Sequence, residues 1–182
     1  MLGILTPEQK QYPITFVGSL QPVHSTRLQL LETVCDTFDD FLWWGPDATL
    51  VPKDSPLHAR YQGPAWGAEM YRVLSASEIT INEHGAIPAY ANNYRLYEAT
   101  GVGTCIVTDW KENLETLFTP EQEVVSYKTP AECVAKLEAL RHDLTVRQAI
   151  AKRGQQRTLR EHTFSDRIHQ LIEWVESNAL LG

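Results

Sequence analysis

The residues in this sequence whose types and spacing could do chemistry are Gly18, Ser19, Arg27, His84, Asn93, Arg95, Glu98 and Asp109. Gly18 and Ser19 close an apolar, β-branched run. A glycine there lets the backbone approach a ligand, and the amides of a following helix attract anions, so a diphosphate would sit at this turn. A plain strand-to-helix turn accounts for the two residues equally well, and neither GxGxxG nor a Walker pattern is present. Arg27 lies in the helix that follows. The stretch NNYRLYEA, residues 92–99, says more. Read as a helix, it leaves first-turn N–H donors free and offers Asn93 as a cap. Arg95 then stands where the helix dipole disfavours a cation, a cost that a bound phosphate gripped by the guanidinium fork would offset. Glu98, three residues on, shares that side of the helix. It can accept two ribose hydroxyls or simply pair with Arg95. His84 follows the run EITIN and can act as a base, hold a phosphate or be a solvated loop residue. Asp109 closes the run TCIVT. Glu83 and His84, like the remaining histidines, lack metal-site spacing, and no GxSxG elbow exists, so no metal site and no catalytic residue is assigned.

These residues need a scaffold that gathers strand ends. Strands are expected at 12–20, 41–44, 78–82, 104–108 and 124–127 from β-branched or aromatic runs closed by turn residues. Helices are expected at 24–38, 66–75, 92–100, 144–162 and 165–180 from apolar residues at helical spacing, with another from Pro130, which suits a first helical position. Residues 47–64 read as a proline-bearing loop with at most a short strand near Tyr61. Alternating strands and helices mean an α/β fold: a Rossmann-like, mostly parallel sheet with helices on both faces and a C-terminal helical segment. Its ligands belong outside the carboxyl ends of the strands, which selects the loops at 18–25, 45–47, 82–93 and 109–113. The division expected is an N-terminal extension, 1–12, an α/β domain, 13–142, and helices packing on it, 143–182.

Composition narrows the class. The 182 residues are 43% hydrophobic and 21% charged, ordinary values for a globular chain. A formal net charge of −7 gives no overall footprint for nucleic acid. Cys35, Cys105 and Cys133 are scattered and lack CxxC spacing, which argues against a disulfide framework and fits a reducing, cytoplasmic setting. The opening residues show no signal-peptide pattern, and no apolar stretch is long enough to span a membrane.

Taken in order, ITFVGSL with Arg27, YRVLSASEITIN, NNYRLYEATGVGTCIVTD, LETLFTPEQEVVSYKTPAECVAKLEAL and EHTFSDRI cover most of residues 13–175. This succession resembles the C-terminal domain of B-type glycosyltransferases, most closely the CgeB-like or group 1 glycosyltransferase-like domains. The resemblance implies a nucleotide-diphosphate sugar as donor substrate and no tightly bound cofactor or metal. Glu98 matches the second glutamate of the Glu-x7-Glu motif, which typically binds the donor ribose. The first falls at Tyr90, where the chain departs from the motif. By the same resemblance Asn93, Arg95, Gly18 and Ser19 lie near the diphosphate, and Asp109 edges the pocket. The expected partner is an N-terminal acceptor domain or a separate chain supplying it, because only about a dozen residues precede the first strand, against roughly 100–200 for a domain. The terminal helices would then leave apolar faces for that partner or for a homodimer. A non-catalytic α/β interaction or regulatory module is the competing reading, and a dehydrogenase a third, weakened by the missing GxGxxG.

Overall fold

The computed structural model describes residues 5–20, 25–85, 89–91 and 93–179. Five strands, β1 (Tyr12–Val17), β2 (Phe41–Trp44), β3 (Ser77–Asn82), β4 (Cys105–Asp109) and β5 (Val125–Tyr127), form one sheet in the order β2-β1-β3-β4-β5. Every neighbouring pair is parallel. The helices are α1 (Ser25–Thr37), α2 (Ala68–Ala76), α3 (Tyr94–Gly101), α4 (Leu114–Leu117), α5 (Pro130–His142), α6 (Leu144–Glu161) and α7 (Phe164–Ala179). Strand order reverses between β1 and β3, so the chain leaves these two neighbouring strands toward opposite faces and opens a crevice at their carboxyl ends.

Side chains alternate between faces along each strand. One face carries Ile14, Phe16, Ile79, Ile81, Cys105 and Val107, packed with Leu31 and Val34 of α1 and Leu137 of α5. The other brings Val17, Trp44 and Ile106 against Val73 and Leu74 of α2 and Leu96 of α3. Burying each such side chain stabilises the fold by roughly 1.5–3 kcal/mol. The second face also buries Thr15 and Thr80, and their hydroxyls are satisfied: Thr15 Oγ1 donates to Ser77 Oγ (2.9 Å) and Thr80 Oγ1 to the Thr15 carbonyl (3.3 Å). Trp43, fully buried, donates Nε1 to the Leu57 carbonyl at 2.8 Å. Leu57 lies in a 3-10 turn, Pro56–Arg60, inside the segment expected as a loop, and Tyr61 pairs with Trp43 as a single bridge.

The elements start and stop as the sequence leads one to expect, within a few residues. The added α-helix is α4, four residues with no room for a periodic pattern, and the 3-10 turns Pro7–Gln9 and Pro56–Arg60 are added for the same reason. His24, Asn92 and Leu180, expected near three helix ends, lie outside the described residues. Before β1, Lys10 donates Nζ to the Ser75 and Ser77 carbonyls where α2 meets β3 (2.7 and 3.0 Å), and burial draws its pKa down to about 8. All three cysteines are buried and free, and burial pushes the Cys105 and Cys133 thiols up to about 12. No helix among the described residues is long and apolar enough to cross a membrane.

α6 lies against α3, α5 and β4. Its Gly154 permits this approach, because a Cβ there would collide with the Glu123 carbonyl oxygen. Gly154→Ala should therefore cost about 1–3 kcal/mol by overpacking, whatever it gains in helix propensity. Gly101→Ala, whose Cβ would meet Thr158 Cγ2 at an ordinary 3.5 Å, should be neutral or slightly stabilising. Urea denaturation of the two variants checks the pair, and a stable Gly154→Ala would refute the packing argument.

Candidate functional site

The crevice between β1 and β3 is floored by one guanidinium. Arg27, in the first turn of α1, points back over the strand ends. Its Nε meets Glu83 Oε2 at 3.1 Å, Nη1 donates to the Ser19 carbonyl at 2.9 Å, and Nη2 donates to the Glu83 carbonyl at 2.7 Å. Thr26 Oγ1 donates to the other Glu83 oxygen at 2.8 Å. Both side chains of the Arg27–Glu83 pair are only about one-tenth exposed, at 10% and 9%. Arg27 thus binds the loop after β1 to the loop after β3, and these donors are spent on the protein itself. Gly18 has a structural reason of its own: an added Cβ would stand 2.8 Å from the Phe16 ring. Its N–H donates to the Trp44 carbonyl at 2.9 Å, and its carbonyl comes so near Gly45 that a Cβ there would sit 2.6 Å away.

On the β4 side of β3, His84 and Asp109 meet. The backbone N–H of His84 donates to Asp109 Oδ1 at 2.8 Å, and Nδ1 lies 2.7 Å from the same oxygen. Lys111 Nζ stands 3.3 Å from Asp109 Oδ2 and donates to the Gly85 carbonyl at 2.7 Å. The imidazole is fully covered, its side-chain exposure being 0%. A solvated loop histidine is therefore not what the structure contains. Ala91, in the same loop, is also anchored: its N–H donates to Asn113 Oδ1 at 2.6 Å, and Asn113 Nδ2 donates to the Ala91 carbonyl at 3.1 Å.

Asn93 caps α3, its Oδ1 accepting from Leu96 N–H at 3.3 Å. Its Nδ2 donates to Asn82 Oδ1 at 2.9 Å, while Asn82 Nδ2 donates to Thr108 Oγ1 at 3.0 Å. The start of α3 is thus tied to the ends of β3 and β4. From its first turn Arg95 reaches the end of β1, Nε donating to the Val17 carbonyl at 3.0 Å, and Nη1 pairs with Glu98 Oε2 at 2.9 Å. The helix pairing open to Glu98 is therefore made, and Arg95 still lies at the crevice. Burial draws the Arg95 pKa below its ordinary value, with Glu98 pulling the other way. Glu98 also lines a groove of about 990 Å³ between α3 and the α6–α7 junction, with Tyr71, Tyr94, Tyr97, His162 and Arg167.

Seven of the eight residues read from the sequence therefore stand at the carboxyl ends of β1, β3 and β4, and Glu98 joins them only through its pair with Arg95. What that reading missed is Glu83 as the partner of Arg27, and Lys111. A carboxylate directly after a buried strand was the available signal for Glu83. Among the described residues no group of three or more His, Cys, Asp or Glu side chains is arranged to hold a metal ion.

Against known proteins, the family model described as glycosyl transferase-like matches residues 20–173. No curated protein matches the chain. Among solved structures, the C-terminal domain of a group 1 family glycosyl transferase, LpcC from Francisella tularensis, superposes with a TM-score of 0.63 at 14% identity, covering 85% of this chain and 88% of that one. A glycosyltransferase from Rickettsia africae gives 0.73 at 12% identity over 95% of this chain and 52% of that one. Anabaena HepE in complex with UDP-glucose gives 0.72 at 12% identity over 92% and 49%. The chain thus spans about half the length of these two, and likenesses at such identities establish the shared fold.

The Arg27–Glu83 pair yields a stability prediction. Removing one partner strands a buried charge, which costs about 3–5 kcal/mol. Arg27→Met should lose stability of that size in urea titrations, and Glu83→Gln, which keeps an acceptor for Nε, should lose less. A loss under about 1 kcal/mol for Arg27→Met would show that the clamp is dispensable.

Proposed function

The chain belongs to the glycosyl transferase-like family, and on that premise we propose that it is the donor-binding half of a B-type glycosyltransferase of the CgeB-like group. It holds a nucleotide-diphosphate sugar at the β1–β3 crevice, while an N-terminal acceptor domain or a partner chain closes over it. The observation that carries this reading is the placement of Arg95. A cation in the first turn of α3 lies over the end of β1, largely covered yet still reachable, with a side-chain exposure of 17%. First-turn amides have no acceptor within their own helix. Cation and amides together meet the charge that develops on a departing diphosphate, the largest electrostatic demand of glycosyl transfer from such donors.

In this reading the Gly18-Ser19 turn and Asn93 flank the diphosphate, Glu98 turns from Arg95 to the ribose hydroxyls, and His84 and Asp109 edge the pocket, with Arg27 setting the turn they face. HepE is described with UDP-glucose bound, which makes a uridine diphosphate sugar the first donor to test. In this reading residues 13–142 are the nucleotide-sugar domain and 143–182 its C-terminal helical segment, of which α6 packs on that domain. α7 supports the need for a partner: Phe164, Ile168, Leu171, Trp174 and Val175 are all exposed on it. That face suits the acceptor domain, or a second copy in a homodimer, in a cytoplasmic protein.

Two measurements test the proposal. UDP-glucose at 100 times its dissociation constant should raise the stability of the protein by about 2.7 kcal/mol, read as a thermal shift. No shift and no calorimetric binding at millimolar UDP- or GDP-sugars would sink it. Arg95→Ala should weaken UDP about tenfold or more and leave uridine nearly unchanged, and equal losses for both would remove its assigned role.

A further inference from the structure

α7 is held to the rest of the chain by few bonds. Only His162 and Thr163 separate it from α6, and no side chain from Phe164 to Asn178 is buried. Its apolar residues join neither face of the core. Helices take most of their stability from packing, so what fixes α7 lies in its first turns. Thr163 caps it, with its N–H and Oγ1 donating to Asp166 Oδ2 at 2.9 and 2.7 Å. Among the described residues, Arg167 is the one side chain of α7 that hydrogen-bonds beyond the helix and its cap. Its Nη2 lies 3.0 Å from His162 Nδ1 and 3.5 Å from the Tyr97 hydroxyl, and the guanidinium stands over the Tyr97 ring, 5.6 Å from its centre.

The ring that receives Arg167 is itself clamped. His162 ends α6, half-buried, with Nε2 2.8 Å from the Leu117 carbonyl and its ring packed on Tyr97 and Phe118 at 5.1 and 5.0 Å between centres. A guanidinium only donates, so Nδ1 offers it a lone pair, and the single proton of the ring is on Nε2, where the Leu117 carbonyl accepts it. A second proton, on Nδ1, sets two donors against each other with no acceptor between them. The charged groups around the ring divide. Arg167 of α7 and Arg157 of α6 oppose an imidazolium, whereas Glu161 of α6 and Asp166 of α7 favour it. Tyr97 of α3 adds no charge, because burial raises its pKa. Burial is also the main reason that the His162 pKa lies below its ordinary value, with the two arginines adding to it against Glu161 and the Leu117 carbonyl. We infer that His162 is an acid-sensitive latch: the neutral ring receives Arg167 and docks α7 on α3, and the imidazolium rejects Arg167 and frees α7. The groove of about 990 Å³ beside Glu98, lined by His162, Phe164 and Arg167, opens with it. The undocked ring takes the second proton more readily than the docked one. Docking is therefore complete above the ordinary histidine range and is lost as pH falls through and below it. The latch does not depend on what the crevice holds.

The experiment is nuclear magnetic resonance on the full chain from about pH 7.5 to about pH 5, across the histidine range, for the wild type, His162→Gln and Arg167→Leu. A glutamine amide carries an acceptor and a donor, as the neutral ring does, and does not titrate. The ring nitrogens of His162 report the tautomer and the midpoint of protonation, and backbone order parameters of residues 167–176 report docking. In the wild type the proton should be on Nε2 at the upper end of the range, and His162 should titrate below the ordinary histidine range. The order parameters of α7 should fall from about 0.85 to about 0.6 or lower with the same midpoint. His162→Gln should keep α7 ordered throughout. Arg167→Leu should leave it loose at both ends of the range and raise the His162 midpoint. An α7 equally ordered whether the wild-type ring is neutral or charged overturns the inference. So does a proton on Nδ1 of the neutral ring, or a loosening in acid that persists in His162→Gln. If His162→Gln does not fold, Arg167→Leu decides the matter: a helix as rigid as that of the wild type at the upper end of the range removes the latch. None of these readouts involves the crevice, so a failed latch leaves the donor-binding reading standing.

Discussion

The crevice depends on a buried ion pair. Where strand order reverses, two adjacent parallel strands send their continuations to opposite faces, and nothing in the sheet ladder holds their ends together beyond the last pair. Arg27 supplies that hold. From α1 it reaches carbonyls on both loops and the Glu83 carboxylate, and Thr26 takes the remaining carboxylate oxygen. Desolvating the two charges is expensive, and the geometry offsets it by giving each a second partner. A hydrophobic pair of equal volume could fill the same space. It could not bind two backbone carbonyls, so the turn after β1 would lose its position relative to β3.

The other wall is fixed in a different way. Asn82 and Asn93 exchange amide hydrogen bonds, and Thr108 joins them, so the first turn of α3 is welded to β3 and β4 by neutral groups. Neutral bonds keep the local field undisturbed for Arg95, the one charge in that turn. A helix start preformed in this way costs little further ordering when any group binds to it. Tied in this way, α3 and the sheet form one rigid unit.

Much of this was legible in the residues. β2 and its Gly-Pro stop, the Pro130 helix start and the apolar faces of α1 and α2 follow from local pattern, and local pattern is what a single sequence carries. The Arg95–Glu98 pair was legible for the same reason, since three positions on a helix define a neighbour. The partners of Arg27 and His84 were not. Glu83 is 56 positions from Arg27 and Asp109 is 25 from His84, and only the parallel crossovers bring them together. The choice of residues could thus be read directly, whereas the pairings that decide whether each is free or committed required the topology. Arg27 shows the difference: as a type it suits phosphate, and in place it is a structural clamp.

The buried cysteines have a practical side. Cys35, Cys105 and Cys133 lie inside the core, and two of them are held far from the pH at which a thiol ionises. Since the thiolate is the reacting species, burial and the raised pKa should slow these thiols toward maleimides and similar reagents. A single cysteine introduced on the rim of the crevice can carry a fluorophore or spin label with little background, which turns the folded domain into its own reporter of ligand arrival.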